Sequence, residues 1–287
     1  MAVPSPIITS RANSRVKQLR AAFSGNQRLN EGLIAIEGEH LLQEAHRSGI
    51  IPKTIFVTPQ YSRSIPSHPG IEILRLSEDV FESAVETPSP QGIAALIEPP
   101  EFTLEEMLQP AALILIAVEL QDPGNLGTLI RSAEAFGATG VILTSGTVSA
   151  WNQKVLRSSV GSVFRMPVVT ADEIQITSLK EQGLRLLAAV GSQDGRAANA
   201  QDVDLRQPTA LMIGNEGSGL SESWQRLANA GVTIPCPGPV ESLNAAVAGS
   251  LLLYEASRQR SASAHAVANN VSRIPNMQPR RPTGATR

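Results

Sequence analysis

Cysteine, aromatic residues and long apolar runs are all scarce in this chain of 287 residues. Its single cysteine, Cys236, excludes an internal disulfide framework and a cysteine-based zinc site, and it is typical of a reducing compartment. Aromatic residues make up 3 %, too few for a platform on which bases stack. The longest apolar run, residues 111–118, is far too short to span a bilayer, and the N-terminus lacks the pattern of a secretory signal. We therefore expect a cytoplasmic protein with no membrane partner.

The familiar catalytic and metal-binding motifs are also missing. His40 and His46 are six residues apart, whereas two ligands on one helix face need a spacing of three or four. No Walker loop and no G-x-S-x-G elbow occurs in the sequence. Cys236 lies between two prolines in a rigid turn, which favours a structural role over a nucleophilic one. We expect no metal site.

The charge is unevenly distributed, although the net charge is only −2. Residues 1–30 carry +5 with no acidic residue, residues 261–287 carry +4, and the remainder therefore carries −11. Two basic ends on an acidic body indicate that the ends contact phosphate, although basic termini without such a role are common. The five N-terminal cations are Arg11, Arg15, Lys17, Arg20 and Arg28.

Strands alternate with helices along the chain, which predicts an α/β protein. Residues 1–97 read as a small α/β domain, and the proline-containing stretch 98–110 reads as a linker. Residues 111–260 contain continuous apolar strands separated by helices, the pattern of a mainly parallel sheet covered on both faces. The Ser-, Ala-, Pro- and Arg-rich residues 261–287 are predicted to be a disordered basic tail.

Three loops in the second domain each follow a strand and open a helix. The first contains Asn125 and leads to Arg131, which points away from the apolar stripe of its helix. The second is the glycine-rich run 214–220, whose backbone a ligand can approach closely. The third runs from Ile234 to Asn244 and is stiffened by three prolines. Taken singly, each has an ordinary interpretation as a solvated arginine, a strand-to-helix turn or a helix cap.

Taken together, the three loops resemble the motifs of the SpoU/TrmH family of RNA 2′-O-ribose methyltransferases, members of the SPOUT superfamily. The matching segments are Asn125-x-Gly127-x-x-x-Arg131-Ser132-Ala133, Gly214-x-Glu216-Gly217-x-Gly219-Leu220, and Ile234-Pro235 through Ser242-Leu243-Asn244. They occur in the order of the family, over about residues 110–260. The first domain resembles, more loosely, the ribosomal-protein-like substrate-binding domain of rRNA-modifying members. Cys236 stands where many relatives have methionine.

The resemblance implies a deep trefoil knot, a homodimer and a pocket for S-adenosylmethionine. It places the cofactor against Gly214, Ile234 and Leu243. It makes Arg131 the central catalytic residue, surrounded by Asn125, Glu216, Ser242 and Asn244. Whether Arg131 acts as a base or as an electrostatic and positioning group is left open, because a guanidinium normally stays charged.

The expected activity is therefore methylation of a ribose 2′-hydroxyl in RNA, with rRNA as the expected substrate. A tRNA substrate is the nearest alternative. A non-catalytic RNA-binding or ribosome-associated protein of the same fold is a second alternative, disfavoured because all five catalytic motif residues are present. A nucleotide-dependent oxidoreductase is disfavoured because no G-x-G-x-x-G follows the first strand of the second domain.

Overall fold

The N-terminal part of the chain folds around a five-stranded sheet. The computed structural model describes residues 6–25, 32–66, 68–191, 195, 197–240 and 242–271, with side chains up to residue 262. The first sheet has the strand order β1-β4-β3-β5-β2, in which β5 runs antiparallel to β3 and β2 and the other pairs are parallel. Its elements are β1 (Ile7–Ile8), α1 (Ser14–Phe23), β2 (Ile34–Glu37), α2 (Glu39–Arg47), β3 (Thr54–Val57), β4 (Glu72–Leu76), α3 (Glu78–Glu82) and β5 (Ile93–Ile97).

The C-terminal part is built on a seven-stranded sheet with the order β10-β12-β9-β11-β6-β7-β8, all parallel. The central strands are apolar and wholly buried because helices cover both faces, which confirms the predicted parallel sheet. Its elements are α4 (Leu104–Met107), β6 (Leu113–Ala117), α5 (Pro123–Ala135), β7 (Gly140–Leu143), α6 (Gln153–Ser159), β8 (Val168–Thr170), α7 (Glu173–Glu181), β9 (Arg185–Ala189), β10 (Ala198–Asn199), β11 (Thr209–Ile213), α8 (Glu222–Leu227), β12 (Ala230–Thr233) and α9 (Ala245–Val271), with single 3₁₀ turns at Ser162–Phe164 and Ala200–Asp202.

The two parts share buried surface. One apolar cluster contains Ile36 and Leu41 of the first part together with Val163 and Phe164 of the second. A buried hydrogen bond adds to it, since Gln153 Nε2 donates to the carbonyl oxygen of Ala35 over 2.8 Å. Separating the parts would expose these groups to water, so the contact stabilises one arrangement of the two sheets.

Two segments differ from the sequence-based expectation. Within 98–110, the short helix α4 begins with a capping box between Thr103 and Glu106, and Met107 is buried against Gly140. The last helix, predicted to end at Arg260, continues to Val271, so the prediction of a disordered tail is wrong for residues 261–271. Alanine is frequent in that stretch and is the strongest helix former. Residues 272–287 lie outside the described part of the chain. No helix among the described residues is long and apolar enough to cross a membrane.

Candidate active site

The three loops singled out in the sequence meet at one edge of the parallel sheet. Strands β6, β11 and β12 end at Ala117, Ile213 and Thr233, and parallel strands end at the same edge. The following loops therefore emerge at one edge of the sheet, from the adjacent strands β6 and β11 and from β12, which β9 separates from β11. Open α/β sheets ordinarily bind ligands at this edge.

Glu216 fastens the second loop to the first. Its carboxylate accepts hydrogen bonds from the main-chain N–H groups of Asp122 (3.1 Å) and Gln121 (3.4 Å) and from Asn125 Nδ2 (3.0 Å). Burial alone would raise the pKa of Glu216, but these hydrogen bonds outweigh it and hold the pKa below its usual value. The side chain is thus a charged acceptor that clamps two loops, and it has little capacity left to take a proton from a substrate.

Asn125 extends this clamp to the third loop. Its Oδ1 accepts from Asn244 Nδ2 over 3.1 Å, while Asn244 Oδ1 accepts from the backbone N–H groups of Ala246 (2.9 Å) and Val247 (3.2 Å) at the start of α9. Glu216, Asn125 and Asn244 therefore form one hydrogen-bonded chain across all three loops.

Arg131 lies apart from this chain, on α5. It is exposed, and it makes no hydrogen bond or ion pair with any residue that the structure describes. The preceding turn of α5, which contains Gly127, packs very closely on α6, since a Cβ on Gly127 would lie 1.9 Å from Ser158 Oγ. Arg131 is thus an unpaired cation on a firmly packed helix, available to an anionic ligand.

A cavity of about 300 Å³ lies between the second and third loops. The three predicted cofactor residues Gly214, Ile234 and Leu243 line it, as do Glu216 and Ser242. Apolar side chains of Ile213, Val232, Ala245, Ala248 and Leu252 supply much of the remaining wall. Asn125, Arg131 and Asn244 do not line the cavity, so the structure separates the predicted site residues into a lining set and a set beside it.

The loop after β11 has a compact backbone and forms one wall of the cavity. Asn215 and Gly219 exchange two main-chain hydrogen bonds (3.2 and 2.9 Å), which fold the loop back on itself. A Cβ on Gly214 would lie 2.3 Å from the main-chain carbon of Gly219, so no side chain fits there. An apolar slot edged by main-chain donors and acceptors fits the adenosine moiety of S-adenosylmethionine.

The sequence interpretation missed the segment Ala189–Gly191, which also lines the cavity. It follows β9, the neighbour of β11 in the sheet. A signal was available, since an apolar strand that ends in glycine at the same sheet edge is a candidate ligand contact. No group of three or more His, Cys, Asp or Glu residues in the described ranges is arranged to hold a metal ion.

Comparisons with known proteins agree with this geometry. The SpoU rRNA Methylase family matches residues 112–254, and the MRM3-like substrate binding domain matches residues 13–95. The 23S rRNA (guanosine(2553)-2'-O)-methyltransferase RlmP of Bacillus subtilis is 37 % identical over 86 % of this chain and 97 % of its own length. The chain belongs to the SpoU rRNA methylase family. The resemblance of the three motifs to this family is therefore confirmed.

Other members of the SpoU family are similar in sequence and in structure. The 23S rRNA (uridine(2479)-2'-O)-methyltransferase of Streptomyces viridochromogenes is 31 % identical over 88 % of this chain and 92 % of its own length. The crystal structure of AviRb from Streptomyces viridochromogenes in complex with AdoMet superimposes with a TM-score of 0.76 at 29 % identity, covering 87 % of this chain and 98 % of that one. These neighbours confirm the predicted α/β fold, in which a small α/β domain precedes a parallel C-terminal sheet.

Proposed function

We propose that this SpoU-family protein transfers the methyl group of S-adenosylmethionine to a ribose 2′-hydroxyl of rRNA. The observation that carries the proposal is the cavity between the second and third loops, with the hydrogen-bonded chain from Glu216 to Asn244 and the unpaired Arg131 beside it. Related enzymes named for 23S rRNA methylation at a guanosine and at a uridine support rRNA as the substrate class.

We assign the cofactor to the cavity, against Gly214, Ile234 and Leu243. Bound there, S-adenosylmethionine supplies a methyl group on a positively charged sulfur. The main-chain groups of the two loops would hold the adenosine, and Ser242 at the rim would orient the ribose of the RNA.

We assign charge stabilisation to Arg131. The ribose oxygen would take the methyl group from the sulfonium sulfur, S-adenosylhomocysteine would leave as the thioether, and the hydroxyl proton would pass to solvent water. A guanidinium does not readily give up its own proton, so a role as general base is disfavoured. Arg131 instead would grip a neighbouring phosphate with two N–H groups and stabilise the negative charge that develops on the ribose oxygen. Asn125, Glu216 and Asn244 would hold the three loops in register.

The test is methyl transfer from isotope-labelled S-adenosylmethionine to unmodified rRNA and, separately, to unmodified tRNA. The product RNA is digested to nucleosides, and the label is expected in a 2′-O-methyl nucleoside from rRNA. Label in tRNA alone would establish the tRNA alternative. Cofactor binding without transfer to either RNA would establish the non-catalytic alternative.

We further propose that the protein is a cytoplasmic homodimer whose second and third loops entwine in a trefoil knot, as the family resemblance implies. The dimer is supported by an apolar stripe on α9 formed by Val247, Leu251 and Tyr254, which are 47 %, 43 % and 52 % exposed. Tyr254 also packs edge-on against Phe136 of α5. Burial of this stripe against a second copy would place the Arg131 helix near the subunit junction. Sedimentation of the purified chain measures the oligomeric state.

We propose that residues 1–97 form the RNA-binding domain, with the N-terminal cations as phosphate contacts. In the structure, three of these cations already have partners within the protein. Arg15 pairs with Glu72 (3.1 Å), Arg11 pairs with Asp79 (3.8 Å), and Arg20 donates hydrogen bonds to Ser83. Lys17 is exposed without a described partner, and Arg28 lies outside the described residues. Exposed ion pairs contribute at most about 1 kcal/mol, so RNA phosphate can compete for these side chains.

Neutralising Arg15, Lys17 and Arg20 together to glutamine is expected to weaken RNA binding and to flatten its salt dependence. Each lost phosphate contact lowers the slope of log affinity against log salt by about 0.7–0.9. Filter binding of rRNA across a salt series measures the slope, and calorimetry should show unchanged affinity for S-adenosylmethionine.

The basic tail is the rival docking site, and a truncation after Val271 is the matched comparison. If the truncation flattens the salt dependence and the triple substitution does not, RNA docking belongs to the tail rather than to residues 1–97.

A further inference from the structure

One arginine ties the helix that carries Arg131 to the N-terminal part of the chain. Arg165 donates from Nε to Glu134 Oε1 (2.6 Å) and from Nη2 to Glu134 Oε2 (3.2 Å), so it grips both carboxylate oxygens. Its Nη1 donates to Glu44 Oε2 (2.8 Å) and to Ser48 Oγ (3.2 Å). Glu134 belongs to α5, whereas Glu44 and Ser48 lie at the end of α2. Arg165 therefore bridges the two parts of the molecule.

The bridge reaches α5 one helical turn from Arg131. Gly127, Arg131 and Glu134 follow one another at spacings of four and three residues, so they share a face of α5. Arg131 lies between two contacts on this face. Gly127 packs against Ser158 on one side, and Glu134 forms an ion pair with Arg165 on the other. A shift of Glu134 relative to α2 would therefore move the helix face that carries Arg131.

The end of the bridge that lies in the N-terminal part of the chain, at Glu44, is closely packed. Glu44 is 8 % exposed, and its second oxygen accepts from Arg47 Nη1 (2.6 Å). Gly161 has a left-handed backbone (φ 83°), and a Cβ there would lie 2.5 Å from Glu44 Cβ. The preceding residue, Val160, is also left-handed (φ 53°), which is unusual for a β-branched side chain. Such strain persists where the surroundings determine the conformation, and here it brings the backbone directly against α2.

The three charges at the bridge are stable at neutral pH. Hydrogen bonding to Glu134 raises the pKa of Arg165, against the opposing effect of burial. Burial alone would raise the pKa of Glu134, but hydrogen bonds from Arg165 and Ser162 outweigh it and lower the pKa. Burial alone would also raise the pKa of Glu44, but hydrogen bonds from Arg165 and Arg47 outweigh it and lower the pKa. A partly exposed arginine that is shared by two carboxylates, one of them gripped through both oxygens, gives a more directional contact than a pair of single charges.

We propose that Arg165 is a positioning residue for methyl transfer. It fixes the RNA-binding N-terminal part relative to the Arg131 helix, so that RNA held by one part presents its ribose correctly to the other. The inference rests on the proposed function, and it adds a residue outside the three family motifs. Arg165 does not line the cofactor cavity, so its effect would reach the reacting atoms through the placement of the two parts.

The test compares Arg165→Gln with the wild-type full chain in rRNA methylation at saturating S-adenosylmethionine. A misplacement of about 1 Å can cost roughly 100-fold in rate, so we expect kcat to fall by at least about tenfold. The KM for rRNA and the Kd for S-adenosylmethionine should change by less than about threefold, because the RNA-binding surface and the cavity are both intact. A purely structural role would instead lower the melting temperature without this split between kcat and KM.

Two further variants break the bridge from its ends. Glu44→Gln and Glu134→Gln each remove one carboxylate partner and should lower kcat in the same way. Because the bridge fails when either end is lost, the double variant that combines Glu44→Gln with Glu134→Gln should have a kcat no lower than that of the slower single variant. Glu134 is partly exposed (32 %), so Glu134→Gln keeps the test valid if Arg165→Gln does not fold. Arg206→Gln is the matched control, since it removes an arginine whose ion-pair partner is Asp204 (2.7 Å) rather than Glu44 or Glu134, and it should behave as wild type.

A normal kcat in folded Arg165→Gln, or additive losses in the double variant, would overturn the proposal. These outcomes differ from failure of the proposed function. Absence of methyl transfer by the wild-type chain refutes the function itself, whereas an active wild type with an equally active Arg165→Gln refutes only the bridge.

Discussion

Replacing Arg131 with alanine is expected to lower methyl transfer by at least about 100-fold and to leave the affinity for S-adenosylmethionine nearly unchanged. Arg131 does not line the cavity, so cofactor binding does not depend on it. Its guanidinium is exposed and has no partner in the described part of the chain, so its charge is available to the RNA. Single-turnover methylation of rRNA measures the first effect, and calorimetry measures the second.

Arg131→Lys separates charge from geometry. A lysine keeps the positive charge, but it cannot reproduce the planar two-pronged grip of a guanidinium, so we expect at least about a tenfold loss. Arg226→Ala is a matched control, because it removes an arginine from an exposed pair with Glu222 on α8. Near-normal turnover by Arg131→Lys would mean that charge alone matters at this position, and full activity of Arg131→Ala would exclude it from the reaction.

The sequence predicted the elements with strong local patterns most accurately. The residue pattern predicts a helix over Glu39–Arg47 and a strand over Thr54–Val57, and helix α2 and strand β3 have these limits in the structure. The two-residue strands Ile7–Ile8 and Ala198–Asn199 were not foreseen. They are defined by pairing with distant strands rather than by any periodicity of their own, and two residues are too few to show a pattern.

The family resemblance implied that the three loops meet at one site, but it did not give their division of labour. That Gly214 and Leu243 line the cavity while Asn125 and Asn244 lie beside it depends on side-chain directions within loops. These directions are fixed by contacts such as that of Asn125 with Glu216, 91 positions along the chain. Spacing in sequence carries no information about such a contact.

Charge was the property that the sequence described least well. The N-terminal cations read as an unopposed cluster of +5, because no acidic residue occurs before position 31. In the fold, β4 contributes Glu72 beside Arg15, and α3 contributes Asp79 beside Arg11. Tertiary structure therefore sets the effective charge of the cluster, while Arg165 gains a bridging role that nothing in its local sequence suggests.

Replacing Gly214 with alanine is expected to weaken binding of S-adenosylmethionine by at least about tenfold, with a corresponding loss of methyl transfer. The added Cβ would lie 2.3 Å from the Gly219 carbon and 2.4 Å from the Leu220 nitrogen. Both are main-chain atoms, so no flexible side chain can move aside, and overpacking of this kind costs about 1–3 kcal/mol.

The loop can accommodate the methyl group only by opening, and opening has a second consequence. Gly214 is two residues before Glu216, so a displaced loop also draws the carboxylate from Asp122 and Asn125 and loosens the join between the first and second loops. Gly238→Ala is the matched control, because a Cβ there has no atom within 4 Å, and it should bind the cofactor as wild type does. Calorimetry gives both affinities, and thermal melting shows whether each variant is folded. Wild-type affinity in a folded Gly214→Ala variant would mean that the cofactor does not lie against this loop, and the assignment of the cavity would fall with it.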